Sequence, residues 1–250
     1  MLRARRVPGA QVVEGPGCVA AFTNGDGPDL TRKHAANLSL LSCDDPGEVK
    51  ATRDWAAGLA GVSGEHPADR IAWGRQVHAT DVALVAAPTA EAIPATDALV
   101  TATPGVGVLV LTADCVPTFV AGDGAIAVIH SGWRGLSTGV VDRAVELLRE
   151  HSGSGPLQAA VGPAIGPCCY EVGTEVADVF SSWPSVIVDV GADRPHLDLR
   201  SGVAWRLREN GVDDILPLFP CTRCDPAYFS HRRGDSGRQG VVASLLAGAS

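Results

Sequence analysis

The chain is predicted to be an α/β protein. Strand-length and helix-length segments alternate along it, as expected for sheets covered by helices. Two near-continuous apolar runs, GVLVLT at 107–112 and AIAVIH at 125–130, read as strands buried on both faces. With 250 residues, 46% hydrophobic and 19% charged, and a mean hydropathy of +0.14, the chain can bury a substantial core. No Ser/Pro/Gly linker and no charge block divides it cleanly, so residues 1–250 are expected to form a single domain.

From the N-terminus, the first clear strand is expected at Val19–Thr23. Asp45-Pro46-Gly47-Glu48 then supplies an N-cap, a proline at the first helical position and an acid in the first turn, opening a helix that runs to about Gly61. Short strands at Val82–Ala86 and Ala98–Thr101 precede the two apolar runs. Gly132-Trp133-Arg134-Gly135 reads as a glycine-bounded turn. Beyond it Val140, Val141, Ala144, Val145 and Leu148 share one face of a helix ending at His151. A strand at Leu157–Val161, a helix at Thr174–Ser181, a strand at Val186–Val190 and a helix at Arg200–Asn210 follow. The C-terminal stretch is rich in glycine and arginine.

Charge and composition exclude several classes. The 28 Asp+Glu against 20 Lys+Arg leave a formal charge of -8, with a pI near 5.3, so the molecule as a whole repels nucleic-acid backbones. The longest apolar runs fall far short of the roughly 20 residues of a membrane span. The basic start MLRARR is followed by Pro, Gly, Gln and Glu where the apolar core of an export signal would begin. Seven cysteines, an odd number in a chain of this length, suit reduced thiols and a cytoplasmic location. A monomer or small homo-oligomer is expected, with no nucleic-acid or membrane partner.

The chemistry concentrates in a few places. Cys115 lies just beyond one apolar strand and His130 closes the next. If these strands run parallel as close neighbours, both side chains project at one carboxyl-terminal sheet edge, and His78 joins them from a separate loop. Two imidazoles and a thiolate form a zinc set with one tetrahedral position left open. The spacing alone leaves buried structural residues equally open, because no short C-x-x-C or H-x-x-x-H signature is present there. Arg134, Arg232, Arg233 and Arg238 are candidate phosphate ligands, since guanidinium forks bind phosphate oxygens bidentately. The segment VGPAIGPCCYEVG at 161–173 has too much turn chemistry for a simple connection and reads as a shaped loop bearing Tyr170. Its Cys168 and Cys169 are read as buried small hydrophobes. Cys221-Thr-Arg-Cys224 is one C-x-x-C without a second, read as structural or incidental.

Taken together, QVH (76–78), TADC-x-P (112–117), HSGWRG (130–135), GPAIGPCCYEVG (162–173) and CT...FSHRR...SGR (221–238) resemble the YfiH-like family. That family was formerly called multicopper polyphenol oxidases or laccase-domain proteins and is now regarded as purine nucleoside phosphorylases. The resemblance spans roughly residues 70 to 245. It implies one domain of mixed β-sheets in four α-β-β-α layers, and zinc held by His78, Cys115 and His130, with Cu2+ as the alternative ion. It also implies phosphorolysis of adenosine, inosine and methylthioadenosine, with adenosine deamination as a second activity. Gln76 and Tyr170 then join the arginines as substrate-binding candidates, and Asp114 beside Cys115 is the candidate proton-shuttling carboxylate. The N-terminal match is weaker: Phe22-Thr23-Asn24-Gly25 lacks the family's arginine, for which Arg32 is a possible substitute, whereas Asn37-Leu38, Asp44-Asp45-Pro46 and Arg53 fit.

Composition bears on the older family name. A four-copper laccase needs on the order of ten histidines, and blue copper commonly uses an axial methionine. Seven histidines and a lone Met1 exclude that arrangement but permit a single copper with weak oxidase activity. A Cys115–His130 hydrolase and a non-catalytic partner protein complete the alternatives.

Overall fold

The structure is a computed structural model that describes residues 1–29, 31, 34–42, 44–218 and 220–247. Arg32 and Cys43 lie outside the described residues. In chain order the elements are β1 (Arg3–Val7), β2 (Ala10–Gly15), β3 (Cys18–Thr23), α1 (Pro46–Leu59), β4 (Ile71–Trp73), β5 (Val82–Leu84), β6 (Ala98–Thr101), β7 (Gly107–Thr112), β8 (Val116–Ala121) and β9 (Ile126–Ser131). They continue with α2 (Trp133–Thr138), α3 (Val140–His151), β10 (Gln158–Val161), α4 (Thr174–Val179), β11 (Ile187–Val188), β12 (His196–Leu197), α5 (Leu199–Glu209), β13 (Asp214–Pro217) and β14 (Gln239–Leu245).

Two six-stranded mixed sheets form the centre, ordered β1-β2-β3-β14-β7-β4 and β13-β10-β8-β9-β6-β5. Period-two alternation explains why their strands read as continuous apolar runs. Val108 and Val110 of β7 and Val241 and Ala243 of β14 face Leu99, Phe119, Ile126 and Val128 of the other sheet in one inner core. Leu109 and Val242 point outward into a second core with Ala56 and Ala57 of α1 and Ala60, the residue that caps its C-terminus. Ala127 and Ile129 of β9 turn the opposite way, to Val141, Ala144, Val145 and Leu148 of α3 and Val203 and Leu207 of α5. The result is the expected layering α-β-β-α.

Local chemistry matches the elements. Asp45 caps α1, its carboxylate accepting from the backbone N–H groups of Gly47 and Glu48, with Pro46 as the first helical residue. The segment read as a turn at 132–135 is instead the start of the short helix α2. Gly139, at φ +103°, ends α2 and begins α3, a left-handed position that costs a side-chain-bearing residue about 1–2 kcal/mol.

The expected parallel pairing of 107–112 with 125–130 is corrected. β7 and β9 belong to different sheets, while β9 pairs antiparallel with β8, a strand that Pro117 disguised in the sequence. The β8–β9 register sets Val116 opposite Ser131 and Pro117 opposite His130. Cys115, immediately before β8, therefore comes near His130, at the end of β9, across an antiparallel pair.

Candidate functional site

Asp97, fully buried just before β6, organises the centre. Its carboxylate accepts from the successive backbone N–H groups of Val77, His78 and Ala79, each at 3.0 Å. His78 takes a left-handed φ of 61° to make this concavity of N–H groups around an anion. The same carboxylate accepts from His130 Nδ1 at 2.8 Å, which turns the other ring nitrogen of His130 toward the site. His78 Nε2 lies 3.7 Å from Cys115 Sγ. The two imidazoles meet edge to face at 4.8 Å between centroids. The ligand atoms of His78, Cys115 and His130 all lie within 4.8 Å of one another. Two imidazole nitrogens and a sulfur at this spacing suit a borderline divalent ion.

The glycines of the 130–135 motif serve close approach. A Cβ on Gly132 would stand 2.7 Å from His78 Cδ2 and 3.2 Å from Cys115 Sγ, and one on Gly135 would stand 2.7 Å from the Ala79 carbonyl oxygen.

Electrostatics prepare the donors. Burial disfavours the Cys115 thiolate, but the neighbouring His130 charge and hydrogen bonds from His130 and His78 outweigh it and bring the thiol down to about 6. Burial likewise disfavours charged His130, yet the Cys115 thiolate and bonding to Asp97 push it up to about 9. Asp97 would be raised by burial. Its bonds from His130 and from the backbone of Ala79 and Val77 hold it below the usual carboxylate range instead. Near neutral pH the metal-free centre is thus a thiolate–imidazolium pair, and a metal ion held there would take the place of the imidazolium proton.

The centre opens into a cavity of about 680 Å³, within the range of small-molecule sites. Its wall carries Arg75, Arg134, Arg232 and Arg238, with Asp114 as its one acid among the described residues. Arg134 stacks on Trp133 at 4.4 Å, and Arg232 lies over Tyr170 at 5.2 Å. Burial raises the Tyr170 hydroxyl to about 12, so it stays protonated.

The remaining sequence candidates are held by the protein itself. Asp114 accepts from the Thr222 hydroxyl at 2.6 Å, the Ser230 hydroxyl at 3.0 Å and the Arg232 backbone N–H at 2.7 Å. Gln76 also lines the cavity, and its side-chain amide exchanges two 2.7 Å bonds with the backbone of Leu111. Arg238 donates to the carbonyl oxygens of Ser236 and Gly237 at 2.9 and 2.7 Å. Arg233 stands outside the cavity wall. Its guanidinium is taken up by the carbonyls of Thr222, Arg223 and Tyr228 and by the Asp235 carboxylate.

Sequence reading missed Asp97, and it missed Arg75 and His231, which both line the cavity. Asp97 carries no motif of its own, and only its position ahead of a buried strand marks it. Arg75 precedes Gln76-Val77-His78 directly, so that motif's placement could have found it. The reading of Cys168 and Cys169 as buried is also corrected. Cys168 and Cys224 are exposed, and all four sulfurs of Cys168, Cys169, Cys221 and Cys224 converge within 4.8 Å.

Fold and centre together define an α-β-β-α protein with a His–Cys–His metal-type site at an arginine-lined cavity. The family model described as multi-copper polyphenol oxidoreductase laccase matches residues 19–247. The chain belongs to this family of laccase-like, YfiH-type proteins. It is 40% identical over 214 residues to a purine nucleoside phosphorylase of Mycobacterium tuberculosis, covering 84% of this chain and 83% of that one. It is 42% identical over 203 residues to one of Streptomyces coelicolor, covering 79% and 82%. The solved structure of YlmD from Geobacillus stearothermophilus superposes with a TM-score of 0.82 at 29% identity, covering 97% and 98%.

Proposed function

We propose that this chain is a purine nucleoside phosphorylase acting on adenosine, inosine and methylthioadenosine. The observation that carries the proposal is the cavity wall: four arginines and one acid facing the His78–Cys115–His130 centre, in a protein of net charge -8. Such a wall selects a small anion together with an uncharged body. The relatives named purine nucleoside phosphorylase give that combination its identity.

In the reaction a hydrogen phosphate oxygen bonds to the ribose anomeric carbon as that carbon's bond to the purine nitrogen breaks, and the departing base takes the proton that the phosphate gives up, directly or through solvent. Arg134, Arg232 and Arg238 hold the phosphate and oppose its charge, and Tyr170 forms a wall against the flat base. His78, Cys115 and His130 hold Zn2+, which when bound supplies Lewis acidity toward an oxygen of the reacting molecule. Asp97 fixes His130 and the His78 loop. Asp114 fixes the Arg232 segment, and beside Cys115 it is the carboxylate placed to shuttle protons. Adenosine deamination, the second activity, replaces the purine amino group by a water-derived oxygen in the same cavity, one of the water's protons leaving with the amino group as ammonia and the other staying on the purine product.

Zinc-loaded full-length protein incubated with adenosine and phosphate is expected to release adenine in a phosphate-dependent manner, followed by chromatography. Adenosine left intact over long incubation would remove the reading. The family's description as a polyphenol oxidoreductase laccase favours a second reading, a single copper at the same three ligands giving weak phenol oxidation. Oxidase turnover that scales with copper loading would support it.

A further inference from the structure

We propose that Cys168, Cys169, Cys221 and Cys224 form a second metal site, a tetrathiolate that binds zinc. Their four Sγ atoms lie within 4.8 Å of one another. Cys224 Sγ stands 3.6 Å from Cys168 Sγ and 3.3 Å from Cys169 Sγ. Sulfurs on a zinc tetrahedron, at Zn–S of about 2.3 Å, are separated by about 3.8 Å. A disulfide would bring two of them to about 2.05 Å. The spacing is therefore that of ligands around a common centre.

The backbone is shaped to present the sulfurs. Cys169 N–H and Tyr170 N–H both donate to the Gly166 carbonyl, at 2.9 and 3.0 Å, closing the turn that carries the adjacent cysteines. Gly166 N–H donates to Cys221 Sγ at 3.2 Å, the kind of bond that stabilises a ligating thiolate. A Cβ on Gly166 would lie 2.9 Å from an Arg200 guanidinium nitrogen and 3.3 Å from both Cys168 Sγ and Cys221 Cβ, so the two cysteine pairs pack closely around this glycine. The Asp225 N–H bonds to the Cys221 carbonyl at 3.0 Å, forming the tight turn between Cys221 and Cys224. Four thiolates and Zn2+ carry a net charge of -2, and Arg223, whose guanidinium bonds to Cys169, opposes it. Binding releases the thiol protons to solvent and involves no redox change.

The location gives the site a purpose. One cysteine pair lies in the loop that ends in Tyr170. The other opens the segment whose Thr222, Ser230 and Arg232 grip Asp114. A metal here cross-links the two loops that make the Tyr170–Arg232 side of the cavity, while standing apart from the His78–Cys115–His130 centre.

The test counts zinc in full-length protein purified under reducing conditions and stripped of loose metal by gel filtration. Wild type is expected to hold two zinc ions per chain. Cys115→Ala is expected to hold one and, after cobalt exchange, to show the intense visible bands of a tetrathiolate. The paired Cys221→Ser/Cys224→Ser variant is expected to hold one, with those bands lost. Cys115→Ala leaves the four-cysteine cluster untouched, so the outcome stands even if the paired variant does not fold. A Cys115→Ala protein with no zinc and no tetrathiolate bands would overturn the proposal, as would an intact mass showing disulfides in the cluster. Because metal is counted without nucleoside, failure here is separable from failure of the phosphorylase reading.

Discussion

Replacing Asp97 with asparagine is expected to damage the metal centre without touching a ligand. The wild-type carboxylate takes four donors, three backbone N–H groups at 3.0 Å and His130 Nδ1 at 2.8 Å. An amide keeps one acceptor oxygen and turns an NH2 group toward the donors the other oxygen served. Hydrogen bonds to charged groups contribute about 1.5–3 kcal/mol each, so losing the equivalent of two costs about 3–6 kcal/mol of stability. In the folded fraction, an unfixed His130 and a slackened His78 loop should lower zinc affinity by about 10–100-fold. Denaturant titration measures the first quantity, and competition with a chromophoric zinc chelator the second. Because Asp97 is depressed in the folded state, its contribution is complete above the unfolded value of about 3.9. It is lost as pH falls below that toward the folded pKa. The stability gap between wild type and variant should therefore narrow at pH 3. A folded Asp97→Asn protein with wild-type zinc affinity and stability would refute the reasoning.

Other perturbations separate steric, electrostatic and binding contributions. Gly132→Ala drives a methyl into His78 and Cys115; it should cost about 1–3 kcal/mol and weaken zinc binding, whereas Gly58→Ala in α1, with open space around it, should stabilise by about 0.5–1 kcal/mol in thermal melts. Arg134→Ala should raise the phosphate KM about 10–100-fold, the effect of about 1.5–3 kcal/mol, while Arg233→Ala should lower the melting temperature and leave the KM of the folded protein little changed. In metal-free protein, Cys115 alkylation should rise through an apparent pKa of about 6 and be blocked by zinc. The thiolate's contribution to stability there is lost as pH falls through about 6. That of charged His130 is lost as pH rises through about 9. Calorimetry across that range should find the metal-free protein most stable between the two values.

Much of this architecture is legible in the sequence because local and tertiary demands coincide. Asp45-Pro46 starts α1 where capping chemistry puts it, and the α3 stripe from Val140 to Leu148 is the face that packs on β9. The two apolar runs are strands buried on both faces, but their partnership is invisible locally. Pro117 hides β8, although Thr118 is the first β8 residue paired to β10, so the proline sits beyond that ladder and disturbs little. At the site, His78, Cys115 and His130 announce themselves through motifs. Asp97 does not, since a single buried carboxylate acquires its role only when three N–H groups from another loop close around it. The four-cysteine cluster fails for the same reason: Cys168–Cys169 and Cys221–Cys224 are distant in sequence, and the Ala164–Cys221 bridge that joins them is a tertiary contact.

The most direct test of phosphorolysis at this cavity is product stoichiometry from zinc-loaded protein, adenosine and phosphate, with sugar phosphate read by phosphorus NMR and base by chromatography. Equal amounts of adenine and ribose 1-phosphate are expected, with both lost in Cys115→Ala and diminished in Arg134→Ala. Adenine accompanied by free ribose, or ribose 1-phosphate formed undiminished by Cys115→Ala, would contradict the role assigned to this site.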